Sequence, residues 1–103
     1  MTVQYARSAL EDSARIWLDG SERFGVRLAD QYLDRLDETL RTTLGTFPNA
    51  GRARPEFGPD MRSFPIVPFV AFYRIVGQRV IVVRVLHGHR DLSETLLSSL
   101  VAV

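Results

Sequence analysis

The sequence predicts an α+β fold in which a helix hairpin packs on a small antiparallel sheet and a short C-terminal helix follows. Three observations predict it. Two stretches of helical period follow one another with only Gly25 between them. All five prolines fall between Pro48 and Pro68. Two runs that are apolar on both faces, PFVAFYRIV and RVIVVRVLH, are separated by just Gly77 and Gln78.

The elements follow in chain order. Thr2 to Ala6 reads as a short strand, and Ser8 with Glu11 forms the S-x-x-E capping box that opens a helix. In that helix Leu10, Ala14, Trp17 and Leu18 recur at i, i+4, i+7 and i+8. The spacing predicts that this stripe faces the core and leaves Glu11, Asp12, Arg15 and Asp19 in water. Gly25 ends the first helix after about Phe24. A second helix over Val26 to Phe47 carries the stripe Leu28, Ala29, Tyr32, Leu33, Leu36, Leu40 and Leu44. Two helices joined so tightly form an antiparallel hairpin.

The prolines forbid helix from Pro48 to Pro68 and predict a winding loop. Within it, Pro65 and Pro68 make Met61 to Val67 an edge or bulged strand. The two apolar runs then read as strands in the middle of a sheet. Gly77-Gln78 suits a II′ hairpin turn, which places Val76 opposite Arg79, Tyr73 opposite Val82 and Ala71 opposite Arg84. Asp91 and Glu94 form a last cap signal for a terminal helix over Leu92, Leu96, Leu97 and Leu100.

At 103 residues the chain is expected to form one domain, residues 1–103, burying roughly 60 to 65% of its unfolded surface. No apolar run reaches the ~20 residues that span a bilayer, and the start lacks a basic segment followed by an apolar one. A cytoplasmic protein is the expectation. The absence of cysteine removes disulfides and thiolate chemistry, and two histidines without an acidic pair beside them give no metal set. No cofactor is expected. Residues 1–50 hold six Arg against eight Asp and Glu, whereas residues 51–103 hold seven Arg against four, so the second half is the better face for an anion. Every one of the thirteen basic residues is Arg, a planar fork that stays charged, and there is no lysine to serve as a tunable base.

In their order and spacing, the helix hairpin, GRARPEFGPDMRSFP, VAFYRI, the turn and RVLHGHRDL resemble the ParE branch of the RelE/ParE superfamily. These are the toxin halves of bacterial toxin–antitoxin pairs. The resemblance runs from Phe24-Gly25 to Leu92. It implies a β-α-α-β-β-β fold and a type II toxin that arrests growth by inhibiting DNA gyrase. A cognate antitoxin tail wraps the domain, and operator DNA is reached only through the antitoxin complex. The alternative within the superfamily is a RelE-like ribosome-dependent mRNA endonuclease. Laid over this chain, the two lysines of that chemistry fall at about Met61 and Ser63, the strand arginine at Val70 and the stacking tyrosine at Leu96; only Arg90 matches. Binding without bond cleavage fits better, and no catalytic residue is assigned.

The candidates for contact with target or antitoxin are Arg62, Arg74, Arg84, His87, His89 and Arg90. Arg84, on an apolar strand, has two readings: a fork paired with a helix carboxylate or with carbonyls so that its burial is tolerated, or a target contact. His87 and His89 flank Gly88, where the chain leaves the sheet. Arg90 with Asp91 reads either as a helix-start ion pair and cap or as a binding group at the rim. Arg52, Arg54 and Arg62 either grip an acidic partner or are solvated loop charges. Trp17 and Tyr32 read as core. Two helices cover one face of the sheet, so the other is expected to be a concave apolar surface rimmed by arginines, open to an antitoxin tail with apolar anchors and Glu or Asp.

Overall fold

A computed structural model describes residues 1–88. Its elements are β1 (Thr2–Tyr5), α1 (Arg7–Phe24), α2 (Val26–Thr46), β2 (Arg52–Ala53), a 3-10 turn (Pro55–Phe57), β3 (Met61–Ile66), β4 (Phe69–Val76) and β5 (Arg79–His87). The expected terminal helix and its Asp91 cap lie outside the described residues.

The strands form one sheet in the order β1-β5-β4-β3-β2. It is mixed, because β1 lies parallel to β5 while the other pairs are antiparallel. β5 returns antiparallel to β4 and so runs in the direction of β1, which takes its free edge. β2 and the 3-10 turn lie inside the stretch expected to be loop. β3 is an edge strand over much of its length, as Pro65 requires, since β2 pairs only with Arg62 and Ser63. Pro65 sits beyond the end of β2, where no ladder needs its missing N–H.

Gly25 alone joins the two helices. At φ +91° it takes a backbone that a side chain would strain; its N–H donates to the Ser21 carbonyl, and its own carbonyl accepts from Ala29 N–H. The β4–β5 turn has its positive φ at Gly77 alone, the pattern of II′. Val76 faces Arg79 and Tyr73 faces Val82, as expected, but Ala71 pairs with Val85 and Arg84 pairs with Phe72. A bulge causes the shift: Val83 has no opposite residue on β4.

The bulge is answered by α1. Ala6 N–H donates to the Val82 carbonyl at 2.9 Å, and Ser8 Oγ donates to the carbonyl of Val83 at 2.6 Å. Ser8 is therefore not a cap: Ala6 holds the N-cap position with no side-chain bond, and the hydroxyl serves the strand. One turn on, Asp12 is 2% exposed rather than in water. Its carboxylate accepts from Arg84 Nε at 2.7 Å and from the second fork nitrogen at 3.0 Å, and it also accepts Val85 N–H at 3.0 Å and an Arg15 nitrogen.

With Asp12 inward, α1 buries Ala9 and half-buries Ile16. The expected stripe faces out: Leu10 is 56% exposed, Leu18 52%, and Ala14 is exposed. α2 is as expected along Ala29, Leu36, Leu40 and Leu44, though Leu28 is out in solvent. Leu36, Leu40 and Leu44 meet Val3, Phe69, Ala71, Tyr73, Val80, Val82 and Val85 in the main core.

The other sheet face is not the open concave surface that was expected. Met61, Phe72, Val83 and Leu86 form a second buried cluster there. The proline-rich loop folds back so that Phe57 meets Phe72 edge-on, with ring centres 5.8 Å apart. Among the described residues no helix is long and apolar enough to cross a membrane.

The Asp12–Arg84 pair is desolvated on both sides, Arg84 being 11% exposed at its side chain. Removing one partner strands the other charge, so Asp12→Ala and Arg84→Ala should each lower unfolding free energy by about 3–5 kcal/mol. Urea unfolding followed by circular dichroism measures this, and a loss under about 1 kcal/mol would contradict a buried pair.

Candidate functional site

The candidate residues are distributed over three strands and do not converge. Arg84 is committed to Asp12. Arg62, on β3, donates to the Gly51 carbonyl at 2.7 Å and to that of Asn49 at 3.4 Å. The same loop is held from β4, where Tyr73 Oη donates to the Pro48 carbonyl at 2.7 Å and accepts Gly51 N–H at 2.8 Å. Gly51 is required by space, because a Cβ there would meet the Tyr73 hydroxyl at 2.5 Å. Arg62 thus fastens a loop. Arg54 is occupied similarly, with Nε donating to Ser63 Oγ at 3.0 Å and its guanidinium over the Phe57 and Phe72 rings. Arg74 is half-buried in mid-strand, paired across the sheet with Met61 and Ile81. Arg52 is exposed. His89 and Arg90 lie outside the described residues.

His87 is placed differently. It ends β5 opposite Phe69, whose ring meets it edge-on at 5.6 Å. Both line a groove of about 440 Å³ between the second half of α1, the first half of α2 and the β3–β4 turn. Its apolar lining includes Ile16, Phe24, Leu28 and Tyr32, and Arg23 and Arg35 stand against one carboxylate, Asp19. Phe24 is 68% exposed, and Val67 on the adjoining turn is almost fully so.

Tyr32 is half-buried, with its ring tilted against Phe69 at 6.1 Å and a buried hydroxyl that has no hydrogen-bond partner. The sequence expectation had it wholly in the core. Trp17 is half-buried too, and its indole N–H reaches Asp30 Oδ1 at 2.7 Å.

Sequence reasoning missed the groove because Phe24 and Leu28 continue stripes that read as core. One signal was available. Phe24-Gly25-Val26 is apolar on both sides of a helix break, where a turn facing only water is normally polar.

Chemically, the groove can hold apolar side chains and attract negative charge. Among the described residues no group of three or more His, Cys, Asp or Glu is arranged to hold a metal ion. Met61 and Ser63, at the positions of the RelE-type lysines, are buried in β3.

This build, a helix hairpin packed on a mixed five-stranded sheet, fits the RelE/ParE-like α+β fold. A chain titled "Chromosomal ParDE TA system from P. aeruginosa" has the same fold, with a TM-score of 0.70 at 24% identity over 84% of this chain and 95% of that one. The family profile described as "ParE toxin of type II toxin-antitoxin system, parDE" matches residues 3–92. Toxin ParE3 of Caulobacter vibrioides is 33% identical over 82% of this chain and 84% of its own length. Toxin ParE1 of Mycobacterium tuberculosis is 36% identical over 88% and 90% respectively. The chain belongs to the ParE toxin family of type II toxin–antitoxin systems.

All three tyrosines titrate above their ordinary value. Burial is the main cause for Tyr5, aided by its hydrogen bond to Asp37, and burial likewise raises Tyr32 and Tyr73. A raised folded-state value favours the neutral phenol in the native protein. Stability from these groups is complete below pH ~10 and is lost as pH rises beyond it. Tyrosinate absorbance in the native protein should therefore lag the unfolded chain, and unfolding free energy should fall with increasing pH in that range. Coincident titration of native and unfolded protein would contradict the buried phenols.

Proposed function

We propose that the protein is the growth-arresting half of a toxin–antitoxin pair, acting by inhibiting DNA gyrase and neutralised by a cognate antitoxin. The observation that carries the antitoxin half of this reading is the groove at the hairpin tip. An apolar channel of about 440 Å³ with Phe24 and Leu28 in solvent needs a cover, and since Asp19 answers Arg23, Arg35 leaves the lining net positive and favours an acidic one. A tail with Leu, Ile or Val anchors and Glu or Asp flanks meets both requirements, and it orders as it binds. With the second sheet face closed by its own cluster, the groove replaces that face as the docking surface.

Gyrase as target rests on membership of the ParE family and on the missing RelE-type lysines. Gyrase also places the action in the cytoplasm, and operator DNA is bound only through the antitoxin complex. His87 at the groove and Arg90 after the last strand are the residues proposed to meet target or antitoxin.

The test is a supercoiling assay with purified gyrase beside a cleavage assay in a translating extract. Inhibition of supercoiling, relieved by the protein of the neighbouring open reading frame, is expected. Arg90→Ala should weaken inhibition with an unchanged melting temperature. Phe24→Glu should weaken capture of the antitoxin by tenfold or more, about 1.4 kcal/mol. Defined mRNA cleavage with no effect on gyrase would replace this reading with the RelE-like one.

A further inference from the structure

The outer face of the hairpin carries a second surface, distinct from the groove. On α1 Leu10, Ala14 and Leu18 are exposed, Leu10 and Leu18 by more than half, and Trp17 beside them is half-buried. On α2 Asp30, Asp34 and Asp37 stand at i, i+4 and i+7, which puts them on one side of that helix. The antiparallel hairpin sets the two rows face to face. Trp17 Nε1 donates to Asp30 Oδ1, and Leu10 and Ser13 share a trough of about 330 Å³ with Asp34 and Asp37, over Leu33, Leu36 and Leu40.

The acidic wall is fixed in place. Asp37 accepts the Tyr5 hydroxyl at 2.5 Å and Arg41 Nε at 3.0 Å. Arg41, which also lines the trough, spends its fork on Asp37 and on the Val3 carbonyl at 2.7 Å. Two carboxylates in the lining, Asp34 and Asp37, against the one guanidinium engaged by Asp37 leave this wall negative.

We infer that this trough docks an amphipathic helix of another protein whose apolar side carries leucine-like anchors and whose flank is basic. An exposed apolar track on a helix is an anchor surface for a second helix. The aspartate row beside it selects a positive flank and repels an acidic one. An anionic lipid surface is disfavoured by the same row. A second copy of this chain is a poor occupant, since Arg7, Arg15 and Arg23 of α1 already pair with Glu11, Asp12 and Asp19. From Leu10 to Leu18 the track is about 12 Å long, so about two turns of partner helix lie along it. The groove at the tip has the opposite charge preference, so the two surfaces choose different partners.

Trp17, the single tryptophan, lies one turn of α1 beyond Ser13 of the trough, with its indole on Asp30, and serves as the nearby reporter. The probe is a three-turn helical peptide with leucines at i, i+4 and i+7 and lysines on the flank, titrated against Trp17 fluorescence beside a matched peptide with glutamates. A saturable change with the lysine peptide, at least tenfold tighter than with the glutamate peptide, is expected. Leu10→Glu should abolish it, and Asp34→Arg should reverse the preference; both positions line the trough and are exposed, and circular dichroism verifies that each variant folds. Equal binding of the two peptides, or none, overturns the inference. So does sedimentation showing a dimer that Leu10→Glu returns to monomer, because the occupant is then a second copy. The titration needs neither gyrase nor antitoxin, so its failure leaves the proposed function untouched, and the converse holds.

Discussion

The rotation of α1 about its axis is set by one carboxylate. Asp12 takes both nitrogens of the Arg84 fork and the Val85 N–H, and so it must face β5. At about 100° per residue, Ala9 and Ile16 then fall within about 60° of Asp12 and turn toward the sheet. Leu10, Ala14 and Trp17 fall about 140–160° away, and Leu18 about 120° away. Their exposure is thus a consequence of where Asp12 points. A helix free to choose by hydrophobicity alone would have turned the other way.

The strand side of the same contact explains the bulge. β1 pairs with β5 only as far as Val82, and beyond that point the edge of β5 needs other partners. Ser8 supplies a donor to the Val83 carbonyl, and Asp12 supplies an acceptor to Val85 N–H. α1 therefore acts as a substitute strand made of two side chains. Val83, displaced by the bulge, joins Met61, Phe72 and Leu86 on the second face, so the extra residue also helps to close that cluster.

Much of this fold was legible because the relevant rules are local. Gly25 between two periodic stretches, Gly77 at the first turn position and Pro65 in β3 each act through a single residue's backbone, and each appears where expected. The register was read correctly from Val76 to Tyr73, one turn's reach from Gly77. It failed at Ala71 because the bulge depends on a helix contact distant in sequence, with Ser8 lying seventy-five residues from Val83. Asp12 was misplaced for the same reason. A charged residue in an amphipathic pattern reads as solvated until its partner is known, and Arg84 lies seventy-two residues away. For the site, the arginine-rich second half drew attention to charges that are largely occupied in fastening loops and strands, as Arg62, Arg54 and Arg84 are. The surfaces proposed for binding are instead apolar residues that resemble core in sequence and are distinguished only by lacking a cover.

A buried ion pair is a poor way to gain net stability, since the desolvation of both charges offsets most of their attraction. Its use in α1 follows from what it opposes. The helix carries a competing apolar stripe long enough to pack on the sheet, and that packing would bury Leu10 and Leu18 while leaving Asp12 and Arg84 without each other. Arg84 sits within an apolar strand, so an inverted helix would strand its charge at a cost of several kcal/mol. The pair makes the inverted rotation unfavourable, and the leucine stripe is held outside against its own hydrophobicity. Surface that is hydrophobic and yet kept from the core is free to bind, and in this fold the aspartate opposite an arginine keeps it so.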